Sequence, residues 1–176
     1  MQRSSIRDSA PGDWPMIEAL YRAAFPNEDL LPLVHALLRE PATVLSLAAT
    51  IGPALAGHAM FTACALTGSD DRAALLGPLA VIPRWQRRGV GSALVSAGLN
   101  RLRGDRITRV YVLGDPAYYG RFGFCRAGDT GAGPPYPLPA PWRSAWQSLA
   151  LDGTAPASRG ALRVPRPWRS PALWRP

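Results

Sequence analysis

The stretch Ile82–Val95, IPRWQRRGVGSALV, decides how this chain is read. Its Gln86-Arg87-Arg88-Gly89-Val90-Gly91 lies between an apolar strand-like run, RAALLGPLAVIP, and an apolar helix-like run that continues to about Arg103. A glycine-bearing turn at the head of a helix leaves several backbone N–H groups without intrahelical acceptors, and the helix dipole adds a field that favours negative charge there. An anion, commonly a phosphate, suits such a place.

Three phosphate-binding patterns compete for the turn. The Walker A pattern ends in Gly-Lys-Ser/Thr, and the chain contains no lysine. The dinucleotide fingerprint needs a third glycine where Leu94 stands, and an acid about 20 residues on; Asp115 lies somewhat too far along. The third pattern, (Q/R)-x-x-G-x-(G/A), is met by QRRGVG.

Working outward from the turn, the elements alternate. Ile6-Arg7 reads as a short strand. Asp13 is placed to cap a helix with Ile17, Leu20, Tyr21 and Ala24 on one face, ended by Pro26. A second helix from about Asp29 carries Leu30, Leu33, Val34, Leu37 and Leu38, and Pro41 stops it. TVLSLAAT and LAGHAMFTACAL form a hairpin about Gly52-Pro53. RAALLGPLAVIP is a buried strand in which Gly77-Pro78, lacking a ladder donor, predicts a bulge or splay. The helix after the turn presents Gly91, Leu94, Val95, Gly98 and Leu102 to a sheet. TRVYVLGD, a proline-started helical piece PAYYGRF, GFCRAG and AWQSLALDG follow, with the proline-rich loop GAGPPYPLPAPW between the last two strands. The order β-α-α-β-β-β-α-β-α-β-β is an α/β class, a mixed central β-sheet with flanking helices.

Composition bounds the rest. At 176 residues and 47% hydrophobic, one ordinary domain with its own core is expected. Cys64 and Cys125 match no metal or redox spacing and read as buried small residues in a reducing compartment; His35 and His58 have no ligand-spaced partner, so no metal site is expected. The first ten residues have no apolar core of a signal peptide. Pro41–Ser69 has no formal charge, yet Gly52-Pro53 divides it, so a hairpin explains it better than a membrane span. A soluble, cytoplasmic protein is expected. The net charge of +8 is all arginine, and five of those arginines (Arg159, Arg163, Arg166, Arg169, Arg175) fall after Gly153, where no acid occurs. Residues 154–176 therefore read as a solvated Arg/Pro-rich tail on a domain of residues 1–153, a weaker signal for nucleic acid than a basic face would be.

QRRGVG resembles the signature of the GNAT superfamily of acyl-CoA-dependent N-acetyltransferases. The surrounding LLGPLAVIPRWQRRGVGSAL and, further on, VLGDPAYYGRFGF, with a tyrosine four residues before a Gly-Phe pair, carry the same resemblance over roughly Ile6–Gly153. It implies the GNAT (acyl-CoA N-acyltransferase) fold, with acetyl-CoA as acyl donor and an amine as acceptor. By that resemblance, Gln86, Arg87, Arg88, Gly89, Val90, Gly91 and Ser92 would wrap the pyrophosphate, with Arg87 and Arg88 also readable as plain surface residues. Leu79, Ala80 and Val81 would run beside pantetheine, and an N–H near Val81 would polarise the thioester carbonyl, a contribution of roughly 3 kcal/mol to the transition state.

The resemblance also implies transfer by direct attack of a neutral amine through a tetrahedral intermediate. Tyr119 stands where the family often keeps the acid that protonates the leaving thiolate, with Tyr118 as the packing alternative. Many members carry a glutamate on the strand before the turn; this chain has none there. Asp115, His58 or a water relay are the open alternatives for a base, Asp115 also being a helix cap and His58 a satisfied core residue. Acceptor walls would be the first two helices, where Glu28 and Asp29 can hold a cation or start a helix, and the loop carrying Tyr136 and Trp142. No membrane or nucleic-acid partner is expected, and a homodimer is an allowed assembly. The alternative function is a non-catalytic acyl-CoA-binding sensor or regulatory module. A third reading makes the tail a tether.

Overall fold

The computed structural model describes residues 4–127, 131–153 and 160–175. Along them run β1 (Ser5–Asp8), α1 (Trp14–Ala24), α2 (Leu31–Leu38), β2 (Val44–Ile51), β3 (Ala54–Leu66), β4 (Ser69–Val81), α3 (Val90–Gly104), β5 (Arg109–Leu113), α4 (Pro116–Tyr119), β6 (Cys125–Arg126), β7 (Trp146–Ala150) and β8 (Leu162–Arg163). The architecture is α/β, a mixed, open sheet with flanking helices. Two compact units divide the chain, Met1–Thr62 with Gly77–Asn100 and Ala63–Leu76 with Arg101–Pro176, so β3, β4 and α3 each pass through both.

In the first unit the strands bond in the order β1-β2-β3-β4. β2 and β3 are the expected hairpin, with Ile51 opposite Ala54 across Gly52-Pro53 and a register shift between Ala49 and Thr50. α1 buries Ile17, Leu20 and Tyr21, and α2 buries Leu33, Val34 and Leu37, the faces that helical spacing predicts. α2 starts at Leu31 with Pro32 in its first turn, slightly later than expected. α3 lies against β3 so closely that a Cβ at Gly98 would fall on the Phe61 ring.

Asp13 corrects the expectation of a helix cap. Its side chain makes no capping bond to α1. Instead Arg7 donates to both its carboxylate oxygens, at 2.6 and 2.7 Å, and the Ala10 N–H donates to Oδ2 at 2.7 Å. A bidentate guanidinium is a stronger partner for a buried carboxylate than one amide of the first helical turn.

In the second unit β4 and β5 pair in parallel from Ala73–Arg109 to Leu76–Val112. That ladder ends immediately before Gly77, which has φ 144, and Pro78, which has no N–H to give. β7 pairs antiparallel with β5 and β6 with β7. β6 is a two-residue edge strand with both residues exposed, so Cys125 is exposed rather than buried as expected.

The end of the chain differs from the solvated tail that its arginines suggest. β8 pairs antiparallel with Ala65 and Leu66 of β3, and Leu162, Val164, Trp168 and Trp174 are buried. Trp146 lies between Tyr111, stacked at 5.3 Å, and Trp174, edge-on at 5.9 Å. The Trp174 indole N–H donates to the Trp168 carbonyl and that of Trp146 to the Ala132 carbonyl, so these rings are buried without orphaned donors. The boundary expected at 153–154 opens onto residues 154–159, Arg159 among them, which lie outside the described residues; so does Gly128 at the end of GFCRAG.

Trp174 is 1% exposed. Trp174→Ala is therefore expected to lower unfolding free energy by about 3–5 kcal/mol, read from the urea midpoint. A loss below about 1 kcal/mol would mean that the end of the chain is not part of the fold.

Candidate active site

The turn is built by short-range geometry. A 3-10 turn over Pro83–Trp85 leads from β4 to Gln86, whose side-chain amide donates to the Val81 carbonyl at 3.0 Å and ties the turn back to the strand. Arg87 and Gly89 then take left-handed backbone, φ 57 and 85. Glycine adopts this readily; arginine does so at a cost of about 1 kcal/mol or more. α3 begins at Val90, and the Ala93 N–H donates to the Gly89 carbonyl as its first turn closes. The N–H groups of Val90, Gly91 and Ser92 come before that bond, where a helix offers no acceptor.

Gln86, Arg87, Arg88 and Gly89 are exposed, Val90 is buried, and Gly91 and Ser92 are half-buried. The Arg88 guanidinium lies over the Trp85 ring, 5.3 Å from its centroid. The Trp85 indole N–H is buried without a hydrogen-bond partner, a donor beside the turn that sequence reasoning passed over. An exposed loop, three N–H groups ahead of the first helical bond and an arginine at its edge fit a polyphosphate. On the strand before it, Ala80 is buried and Leu79 and Val81 are half-buried.

Tyr119 ends α4, in the second unit. Asp115 caps that helix, accepting from the Ala117 N–H at 2.9 Å, which accounts for it without a role as base. The Tyr119 ring meets Tyr118 edge-on at 4.9 Å and Phe124 at 5.7 Å. A Cβ at Gly114 would occupy the space of this ring, so glycine there makes room for it. Burial, with Tyr118 adding to it, raises the Tyr119 pKa above the ordinary phenol value. The group therefore stays protonated at neutral pH, the form that donates. Tyr118 is half-buried, with the Arg121 guanidinium over its ring.

His58 sits in the first unit at the middle of β3 and is fully buried. Nδ1 is 3.0 Å from the Tyr21 hydroxyl and Nε2 is 2.8 Å from the Ser46 hydroxyl, which in turn is 2.6 Å from that of Ser9. Both ring nitrogens are satisfied, as expected of a core histidine. Burial lowers its pKa to about 4, with the nearby Asp13 carboxylate opposing the shift.

A cavity of about 900 Å³ opens between α1 and α2, its walls including Glu18, Tyr21, Phe25, Glu28, Asp29 and His35. Glu18 is engaged by Arg22 at 2.7 Å, and Asp29 accepts from the Leu31 N–H at 3.2 Å at the start of α2. Trp14 packs edge-on against His35, centroids 3.7 Å apart. Tyr136 and Trp142 belong to the second unit, half-buried and 39% exposed respectively. Among the described residues no group of three or more His, Cys, Asp or Glu could hold a metal ion, and no helix is long and apolar enough to cross a membrane.

The acetyltransferase (GNAT) family model matches residues 14–124. The chain is 37% identical over 147 residues to the uncharacterized N-acetyltransferase YjhQ of Escherichia coli K12, a match spanning 80% of this chain and 81% of that protein. It is 36% identical over 120 residues to the uncharacterized N-acetyltransferase YhbS of the same organism, spanning 68% and 72%. The crystal structure of E. coli YhbS in complex with CoA matches with a TM-score of 0.83 at 30% identity, over 97% of this chain and 94% of that one. A GNAT family acetyltransferase from Brucella melitensis in complex with acetyl-CoA matches with 0.75 at 28% identity, over 96% and 99%.

Two buried groups set the acid limit of stability. In the unfolded chain His58 takes a proton near 6.5, whereas the folded chain resists protonation until about 4. Stability is thus full above pH 6.5 and falls toward pH 4, by on the order of 3 kcal/mol. Asp13, held at about 2 chiefly by its bond from Arg7, continues the loss from about 3.8 downward. The urea midpoint is expected to fall through the first window in the wild type. In His58→Gln it starts lower and stays flat there. A wild-type midpoint indifferent to pH between 6.5 and 4 would contradict the burial of a neutral imidazole.

Proposed function

The chain belongs to the GNAT family of acetyltransferases, and from that premise we propose that it transfers an acetyl group from acetyl-CoA to a primary amine of a small molecule or protein. The observation that carries this reading is the head of α3, where the Gln86–Ser92 turn leaves three N–H groups facing no helical acceptor. Structures of similar proteins that hold CoA or acetyl-CoA support it.

On this reading Gln86, Arg87, Arg88, Gly89, Val90, Gly91 and Ser92 bind the pyrophosphate, and Leu79, Ala80 and Val81 offer main-chain bonds to pantetheine. Arg88, backed by the Trp85 ring, adds charge at the rim. The acceptor enters the cavity between α1 and α2, where exposed Glu28 and Asp29 favour an amine arriving as its ammonium. Attack by the neutral amine on the thioester carbonyl gives a tetrahedral intermediate. Its collapse breaks the C–S bond, and Tyr119 protonates the departing thiolate.

Titration calorimetry with acetyl-CoA, then thiol release across a panel of amines, tests the proposal. Binding with release for one amine class is expected. Binding with no release for any amine would favour a cofactor sensor, and no binding would remove the assignment of the turn. In Tyr119→Phe, kcat is expected to fall about 100-fold with the acetyl-CoA Kd unchanged. An unaltered kcat would take the acid role from Tyr119.

A further inference from the structure

Amine acetylation must dispose of a proton. The attacking nitrogen becomes cationic as it bonds to carbon, and the adduct reverts unless that proton leaves. From Ala73 to Val81, where a carboxylate would serve, β4 reads AALLGPLAV and has no ionisable side chain; its acids, Asp70 and Asp71, stand at the start of the strand. Asp115 is spent on its cap.

One residue belongs both to the wall of the cavity and to a buried hydrogen-bond chain: Tyr21. From its hydroxyl the chain runs to His58 Nδ1 at 3.0 Å, from Nε2 to Ser46 Oγ at 2.8 Å, and from there to Ser9 Oγ at 2.6 Å. Ser9 is half-exposed, so the chain runs from a residue of the cavity wall, itself only 2% exposed, to one that solvent reaches. Every link is a group that can both donate and accept. We propose that Tyr21, His58, Ser46 and Ser9 form a proton relay that carries the acceptor amine's proton from the cavity to solvent, with Tyr21 as the catalytic residue that receives it.

The step balances without any further reagent. The amine nitrogen bonds to the thioester carbon and its N–H proton passes to Tyr21 Oη. The Tyr21 hydroxyl proton moves to His58 Nδ1, the Nε2 proton to Ser46, the Ser46 proton to Ser9, and that of Ser9 to water. The thiolate separately takes its proton from Tyr119, which is restored from solvent. Once the product has left, the ring regains its first tautomer as a proton returns through Ser46 to Nε2 and the Nδ1 proton leaves through Tyr21 to water in the cavity.

Burial suits His58 to this task. A ring whose pKa is lowered to about 4 is neutral at pH 7, as a relay requires. The Asp13 carboxylate, itself held by Arg7, eases the moment at which the ring carries two protons. Tyr21, pushed the other way by its own burial, keeps its proton until the amine supplies another.

This rests on the transferase reading, and its test separates the two. 15N NMR of the imidazole in the wild-type chain reports the tautomer directly. The relay needs hydrogen on Nε2 and none on Nδ1; the opposite tautomer would overturn it. With an amine that the wild type acetylates, Tyr21→Phe is expected to lower kcat at least 100-fold and Ser46→Ala at least 10-fold. The amine KM and acetyl-CoA Kd are expected to stay near wild type, while the thermal midpoint falls in both variants, since each leaves one buried His58 nitrogen without its hydroxyl. Loss of a merely structural bond would move the midpoint and leave kcat in place, and that result would sink the relay. A wild type that binds acetyl-CoA but acetylates nothing would remove the transferase reading, and the relay with it. An active wild type with an equally active Tyr21→Phe removes only the relay.

Discussion

The contact between the Phe61 ring and the backbone of α3 at Gly98 sets the height at which that helix rides over β3. A side chain at 98 would have to push the ring aside or lift the helix, and inserting atoms into a packed core costs typically 1–3 kcal/mol. Leu94 and Val95, one turn earlier and fully buried, hold the helix down along the same face. The head of α3 is therefore fixed by packing several residues away from the turn. That matters for the proposed function, because backbone N–H groups offered to a phosphate cannot adapt by changing rotamers. Its shape is the position of the helix plus the left-handed backbone at Arg87 and Gly89.

A second constraint acts on β3. An imidazole in the middle of an apolar strand cannot be buried with bare nitrogens, since each unsatisfied group costs about 1–3 kcal/mol. Tyr21 from α1 and Ser46 from β2 answer one nitrogen each. Their hydroxyls are bound to other elements, so satisfying the ring also fixes α1 against the sheet. Structural satisfaction and proton transfer are compatible here, because a well-formed hydrogen-bond chain is the geometry that both require.

Helical and strand periodicity made most of the fold legible. The faces of α1 and α2, the hairpin about Gly52-Pro53 and the small-residue face of α3 all depend on neighbours in sequence, and the structure has them. Asp13 reads as a cap in the sequence because a cap is a local inference, while its partner Arg7 arrives on β1 and outcompetes the helix. The end of the chain reads as a solvated tail because arginines and prolines outnumber the apolar residues there. Leu162, Val164, Trp168 and Trp174 were the signal, but at spacings of two, four and six no single helical or strand period runs through them. The turn and the helix start behind it were legible since their residues are contiguous. The partners of His58 were not: Tyr21 stands 37 positions away and Ser46 stands 12 away. The orphaned N–H of Trp85 has no sequence signature at all.

The distribution of charge around the cavity follows one rule. Its exposed rim has carboxylates, Glu28 and Asp29, whereas Tyr21 in its wall and the groups behind it are a phenol, an imidazole and two hydroxyls. Water solvates a charged rim at little cost, so acids there can attract an ammonium. Burying a carboxylate among apolar strands costs several kcal/mol unless it is paired, as Asp13 is by Arg7. Neutral groups that both give and take protons escape that penalty and keep the surroundings of the reacting nitrogen uncharged. An amine losing its proton into such a wall leaves no buried anion behind. A glutamate on β4 would do the same work only by being buried as a charge. In this chain the strand is wholly apolar from Ala73 to Val81, and the protons have hydroxyls and an imidazole to move through instead.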